Sequence, residues 1–459
     1  MFKKIEIWVL YLLLVFVFIS YIIFGSMVIR EHENGHYIPV ISPISKLAHF
    51  IALIPRNIRD INHPDVKYPH RVLEERFGDQ FSFKGDANID EKYLLLSRFD
   101  GDIEEGIVEL VDLQNFDVLH TWNPNIDNIF NGISGGEWED LSIDKSNKRT
   151  KLNHPLLFED GSLLVQYNTP LMKIGKNSDL ELIKSDEIYH HSAEFDNEGN
   201  VWICVEYFPY KVDSKFVGNK FGIFKDDGIR KLSPSGKVLF DKSVSNILIE
   251  NNMEYLVFAS SDRFKKDPIH LNDIQPVEED NKYWKKGDIF LSLRNLSMVL
   301  LYRPETNQII WKSKDNQFFN QHDINILDDR RISIFDNNVK TNYKGNFVDG
   351  HNRIVIYDFE KEEYLYYLNE SLKKEDVRTS PAGRGKILPN GDLFIEETDF
   401  GRTLYFNSDG SLRWSHVNRS KDNYIQRVGW SRILYKEEDI RKVNKFIKNI
   451  NRVSNNAQN

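Results

Sequence analysis

Six segments of the chain share one form, a polar or glycine-containing turn followed by a short apolar run, and repetition of this kind restricts the fold more than any single motif does. The segments are Ile89–Leu96, Phe158–Val165, Asp196–Ile203, Trp284–Leu291, Leu327–Ile334 and Leu388–Ile395. Each reads as a β-hairpin. Most are followed by a second hairpin with a polar turn and an aromatic residue near its end, at Val108–Trp122, Ile229–Phe240, Val299–Trp311, Ile354–Tyr367 and Thr403–Trp414. Two hairpins make a four-stranded blade. Six such blades predict an all-β chain folded as a six-bladed β-propeller, whose radial closure leaves only short, protected strand edges. The propeller is expected over residues 81–435, interrupted by insertions at Pro209–Gly222 and Lys340–His351.

The 459 residues could fill two or three average domains, but one large propeller reaches the same size. The 30 Phe, 20 Tyr and 8 Trp favour strands over helices. A net charge of −9 without a concentrated run of Lys and Arg gives a nucleic-acid partner no electrostatic basis. Cys204 is the single cysteine, so neither an intrachain disulfide nor a Cys-rich metal site can form; within Val201-Trp-Ile-Cys-Val it reads as a small core residue.

Both ends depart from this pattern. Ile7–Ile29 is apolar apart from small or interfacial residues, about 23 residues and enough to span a bilayer. Lys3 and Lys4 precede it, while Arg30, Glu31, His32 and Glu33 nearly cancel after it, which predicts a cytoplasmic amino terminus and a periplasmic or extracellular propeller. The run is longer than the apolar core of a cleaved signal peptide, and no Ala-x-Ala site follows. Residues 1–32 are therefore read as a transmembrane anchor and 33–80 as a linker rich in proline, with an amphipathic stretch at Ile44–Ile61 broken by Pro55. Residues 436–459 are read as a short helix and tail: Ile440, Val443, Phe446 and Ile447 recur at helical spacing, and fraying is expected from Ser454.

Two histidines recur in register. His191 lies eight residues before the turn residue Gly199 of blade 3, and His322 lies eight before Arg330 of blade 5. The innermost strand of each propeller blade lines the central channel, so repeat-equivalent residues face one axis. His270 of blade 4 lies further from its turn at Gly287, an offset that the insertion Glu278–Lys286 explains. Arg294 ends the next strand of that blade, and Arg98 ends the corresponding strand of blade 1. Several imidazoles with one or two guanidiniums suit an oxyanionic substrate. His190 competes with His191, since alternation sends the two to opposite faces, and His154 lies near the same register in blade 2. His120, His351 and His416 fall in outer strands or loops and read as surface residues. A lone histidine in such a turn is more often a plain backbone hydrogen-bonding group; recurrence in register is what singles these out.

The succession His270-Leu-Asn-Asp, Asp288-Ile-Phe-Leu-Ser-Leu-Arg294, Thr306-Asn-Gln-Ile-Ile-Trp311, Gln321-His-Asp-Ile-Asn and Ile334-Phe-Asp-Asn-Asn resembles the bacterial arylsulfate sulfotransferases, with weaker matches at Tyr189-His-His-Ser-Ala and Leu388-Pro-Asn-Gly-Asp. The resemblance spans roughly residues 150–435. It implies a six-bladed propeller with a central active site, which transfers a sulfuryl group from a phenolic sulfate to another phenol without a nucleotide donor, a cofactor or a metal. It further implies that His322 is the nucleophile that becomes sulfated, with His191, His270 and Arg294 around the sulfuryl group. Arg98, His190, Asn272 and His154 are the expected substrate-binding residues. A neutral imidazole can attack sulfur, and cationic or hydrogen-bonding neighbours can hold the oxygens and the departing phenolate.

Two other readings stay open on the residues alone. One is a metal-dependent hydrolase with Asp273, Asp323, Asn272 and Glu194 as oxygen ligands. The other is a non-enzymatic binding platform, a common use of propellers.

Overall fold

The computed structural model describes residues 6–32, 38–61, 68–131, 146–166, 168, 170–218, 222–260 and 263–457; parts of the expected linker and of the Pro209–Gly222 insertion lie outside these residues. Two compact units are present, Met1–Pro69 and His70–Asn459.

The first unit is helical. Helix α1, Ile7–His32, is exposed along its length and is long and apolar enough to cross a membrane, a property a signal sequence shares. Helix α2 runs over Ile41–Ile61. Its buried residues Ser42, Ser45 and Ala48 fall on one stripe at helical spacing, and Arg30 donates to Ser42 Oγ at 3.3 Å. The sequence predicts a break at Pro55, but the helix passes through it. A mid-helix proline removes one backbone donor and kinks the helix, and here the turns on either side still form.

The second unit is the six-bladed β-propeller expected from the repeats. Its blades begin with the inner strands Asn153–Leu157, Ile188–Phe195, Leu271–Pro276, His322–Ile326 and Arg384–Ile387 for blades 2 to 6. Blade 1 is assembled differently: its inner strand is Arg432–Leu434, which pairs with Tyr93–Asp100. The segment at Ile89 therefore supplies a second strand, and the carboxy-terminal part of the chain closes the ring. Ser82–Gly85 adds a fifth strand to the outside of blade 6, pairing with Leu412–Val417. This added strand corrects the reading of His416, which is buried under Phe83 with ring centroids 4.6 Å apart. The insertion at Lys340 forms its own hairpin, Val339–Asn342 with Gly345–Val348.

The core follows from strand periodicity. Successive side chains point to opposite faces of a blade, and both faces pack on neighbouring blades, so the strands read as continuous apolar runs. Leu95 packs toward blade 2 with Leu157 and Leu163, while Leu94 and Leu96 pack toward blade 6 with Phe394, Tyr405 and Trp414. Cys204 is buried between blades 3 and 4. The carboxy-terminal helix, Glu437–Ala457, continues past the expected fraying point and sets Val443 and Phe446 into the apolar seam between blades 1 and 2.

Buried polar side chains also tie each blade to the backbone of the next. Asp227 accepts from Leu271 N–H (2.9 Å), Asp273 from Ile324 N–H (2.6 Å) and Asp323 from Gly385 N–H (2.9 Å). Glu396 accepts from Trp430 and Ser431 N–H at 2.7 and 2.6 Å, closing the ring at blade 1. These bonds satisfy buried donors at the strand starts, where the functional residues stand.

Candidate active site

The inner strands start with a recurring irregularity. His154, His191, His270 and Asp323 in blades 2 to 5 have positive φ angles of 50, 54, 54 and 45°, and Trp430 ahead of the inner strand of blade 1 has 58°. In blades 2, 3 and 5 the ladder slips by one or two residues at that point, and in blade 4 it slips just after it, at Asn272. A bulge inserts residues without partners and re-aims their side chains, and non-glycine residues in the left-handed region cost about 1–3 kcal/mol each. At Trp430 the preceding glycine is required: a Cβ on Gly429 would lie 2.3 Å from Ser97 Oγ.

The slips bring imidazoles together. His191 has its ring 5.0 Å from that of His270 and 5.6 Å from Trp430, and His154 lies 4.6 Å from Trp430 on another side. His190 and His191 do not diverge to opposite faces. The bulge turns them toward each other, Nδ1 to Nδ1, at 2.8 Å. The ladder also changes the equivalence read by counting back from the turns. His322 pairs with Phe335 immediately before its bulge, and the residue in that place in blade 3 is His190, paired with Cys204.

His322 is almost fully buried, and its tautomer can be deduced. Asn337 Nδ2 donates to the carbonyls of Thr379 (2.9 Å) and Ala382 (2.7 Å), which fixes the orientation of the amide. Its Oδ1 must then accept from His322 Nδ1–H, at 2.6 Å. The lone pair of His322 therefore sits on Nε2, a buried atom without a hydrogen-bond partner. Burial, together with the charge of Arg294, lowers the His322 pKa to about 3, so the ring is neutral.

Arg294 follows the strand Ile289–Leu293 and is half-buried. It donates to Asn295 Oδ1 at 2.9 Å, while its Nε is buried without a partner, and burial lowers its pKa. His270 Nδ1 is 2.7 Å from Asp267 Oδ2. Asn272 donates to Gln321 O at 2.8 Å and leaves its own Oδ1 unpartnered. His154 is buried with its pKa pushed well below the usual value by burial and by Arg384 and Arg432. Arg98 stands apart from this group. Its guanidinium is taken up by Glu109 (2.8 and 2.9 Å) and Asp100 (2.9 Å) within blade 1, so it has no fork left for a substrate.

The carboxylates of the metal-ligand reading are committed elsewhere. Asp323 bonds Arg384 (2.9 Å) as well as Gly385 N–H, Glu194 bonds Arg432 (2.8 and 3.0 Å), and Asp273 bonds Ile324 N–H. Among the described residues no group of three or more His, Cys, Asp or Glu could hold a metal ion. Burial and the neighbouring Asp323 push the Asp273 carboxyl up to about 7. Beyond these pairs, toward the other ends of the inner strands, a cavity of 1110 Å³ opens between the hairpin turns and the start of the carboxy-terminal helix; Glu194, Arg384, Lys386 and Arg432 face it.

Sequence reasoning missed Asn337, Asp227 and Trp430. Asn337 belongs to the Ile334-Phe-Asp-Asn-Asn motif and could have been found there. Trp430 follows the last hairpin and has no repeat register to reveal it.

Among solved structures, the chain is similar to a protein of unknown function from Bacteroides caccae, at 13% identity and a TM-score of 0.47, over 76% of this chain and 100% of that one. It is also similar to a streptogramin B lyase (10% identity, TM-score 0.36, 77% of this chain and 97% of that one). A third is TolB from Acinetobacter baumannii (10%, 0.41, 75% and 66%). No curated protein matches the sequence. The family model described as arylsulfotransferase (ASST) matches residues 167–419, more than half of the chain and the stretch that holds His191, His270, Arg294 and His322. The chain belongs to the arylsulfotransferase family.

Proposed function

We propose that the chain transfers a sulfuryl group from a phenolic sulfate to a phenolic acceptor through a sulfated His322. The observation that carries this reading is the Asn337 bond, which holds the His322 proton on Nδ1 and leaves the lone pair of the ring on a buried, unpartnered Nε2. In the first half-reaction Nε2 forms a bond to sulfur as the bond from sulfur to the phenolic oxygen breaks. Arg294, through its free Nε–H, and the cluster imidazoles His191 and His270 stabilise the sulfuryl oxygens and the oxygen of the departing phenolate. In the second half-reaction an acceptor phenol attacks the same sulfur and His322 regains its lone pair. Neither step calls for a nucleotide donor, a cofactor or a metal. Asn272 Oδ1 and His154 complete the substrate surroundings, with His190 behind His191.

In this reading α1 lies in a membrane as an anchor over residues 1–32, and residues 33–80 link it to the catalytic propeller at 81–435. Lys3 and Lys4 favour a cytoplasmic amino terminus, which leaves the propeller periplasmic or extracellular. The test is to incubate the full-length protein with 4-nitrophenyl sulfate alone, quench at alkaline pH and sequence its peptides by mass spectrometry. A sulfuryl adduct on His322, discharged by added phenol, is the expected result. Release of nitrophenol with no adduct, in a chain whose His322→Asn variant is equally active, would overturn it.

A further inference from the structure

Behind His191 stands an imidazole that the displacement at sulfur does not require. His190 Nδ1 is 2.8 Å from His191 Nδ1, and His190 Nε2 is 3.5 Å from Asp227 Oδ1. His190 and Asp227 are buried, 8% and 3% exposed, whereas His191 is partly open. The other oxygen of Asp227 accepts from Leu271 N–H, so the carboxyl is held in place next to His270. The 3.5 Å gap is of the kind that closes when a substrate orders its site.

Two facing ring nitrogens can share only one proton, so the two tautomers are locked together. When His190 donates from Nδ1, His191 carries its proton on Nε2 and is a proton donor, while the bare Nε2 of His190 faces a protonated Asp227. When His191 donates from Nδ1, its Nε2 is bare and is a proton acceptor, while His190 Nε2–H faces an ionised Asp227. One proton moving in each of three bonds converts the first arrangement into the second, and both imidazoles are neutral in each.

We propose that Asp227, His190 and His191 form a proton relay, in which Asp227 is the store from which the departing phenolate draws its proton and to which the acceptor phenol returns its own. The proposal rests on the sulfuryl-transfer reading and deepens it, because a ping-pong cycle needs one proton to leave in the first half-reaction and one to come back in the second. The balance closes: His191 Nε2–H passes to the phenolate, His190 Nδ1–H to His191 Nδ1, and the Asp227 proton to His190 Nε2; the acceptor reverses all three. His190 acts through His191 and is a positioning residue.

The surroundings fit a store that is protonated at rest. Burial and the nearby Asp267 and Glu206 push the Asp227 carboxyl well above the usual range against the pull of Lys225, while burial and His270 lower the His190 pKa to about 3. Burial raises Glu206 to about 7, and Asp267 is held down by its bond to His270. On the other side of His191 stand His270, His322 and His154, and burial together with these rings keeps it neutral.

The experiment compares donors whose leaving groups differ in their need for a proton, 4-nitrophenyl sulfate and unsubstituted phenyl sulfate, on the full-length protein and on Asp227→Asn and His190→Gln. The asparagine keeps an acceptor for Leu271 N–H and removes the store. In each variant the ratio of turnover with the nitrophenyl donor to that with the phenyl donor is expected to rise by about tenfold to a hundredfold. This ratio does not depend on how much of a preparation is folded. A ratio unchanged from wild type in both variants overturns the relay, even where absolute rates fall. A wild-type protein that turns over neither donor overturns instead the sulfuryl-transfer reading on which the relay rests.

Discussion

His322 Nε2, Arg294 Nε and Asn272 Oδ1 are buried without partners, whereas Glu194, Asp323, Arg384 and Arg432, on the inner strands of blades 3, 5, 6 and 1, are bonded to one another across the blades. Both regions are polar and both lie near the axis of the propeller. They differ in completeness. A buried polar atom left unpaired costs about 1–3 kcal/mol, so a fold keeps several of them together only where something else supplies the missing partner. The pairs along the strands already have theirs and act as cross-links between blades 3, 5, 6 and 1. The lesson is that the type of residue says little here. Arg294, Arg98 and Arg384 are the same side chain, but Arg98 and Arg384 are each held by carboxylates while Arg294 Nε is buried without a partner.

The comparison can be broken in steps. His322→Asn is expected to lower sulfuryl transfer by about ten-thousandfold or more while leaving the thermal melt near that of wild type, as measured by nitrophenol release and circular dichroism. Next is Arg294→Lys, which keeps the charge and loses the planar fork; turnover should fall about a hundredfold, and Arg98→Lys in blade 1 should not match it. Asn337→Leu frees the His322 ring to take either tautomer and should cost about tenfold in turnover. The acid limb of the pH profile sharpens the same point. His322 is neutral in the folded chain down to about pH 3, so activity should persist well below pH 6.5, the point at which an ordinary imidazole would be half protonated. Stability runs the other way, because the unfolded chain binds a proton at His322 that the folded chain refuses. It should be fully present above about pH 6.5 and drain away as the pH falls from there toward 3, as read by urea titrations at several pH values. The smallest effect is expected at the cavity end, where Lys386 donates to Asn325 Oδ1 at 2.6 Å; Lys386→Met should change turnover by less than about twofold.

The sequence made the blades legible because burial on both faces turns strands such as Leu94-Leu-Leu into unbroken apolar runs between polar turns. It did not reveal the strand Arg432–Leu434, since three residues carry no periodicity, nor Ser82–Gly85, in which only Phe83 is even partly buried. The members of the histidine cluster were legible by motif, but not their exact correspondence. Counting residues assumes the same number between strand start and turn in every blade, and the bulge in blade 3 holds two unpaired residues where blade 5 holds one. Arg98 misled for a related reason: its register suits a channel residue, and only the positions of Glu109 and Asp100 show that its donors are used.

Ring closure by the last strand also sets when the centre can exist. Translation delivers three strands of blade 1 and then blades 2 to 6, and each blade can collapse on its neighbour as it emerges. Trp430, which packs on His154 and His191, and the partner donors that Glu396 needs arrive only with the final segment. A prematurely terminated polypeptide would carry every imidazole and guanidinium of the cluster yet lack the wall against which they are set. On the sulfuryl-transfer reading, transfer is expected only from chains read through to their end, and incomplete products are expected to be inert without any separate safeguard.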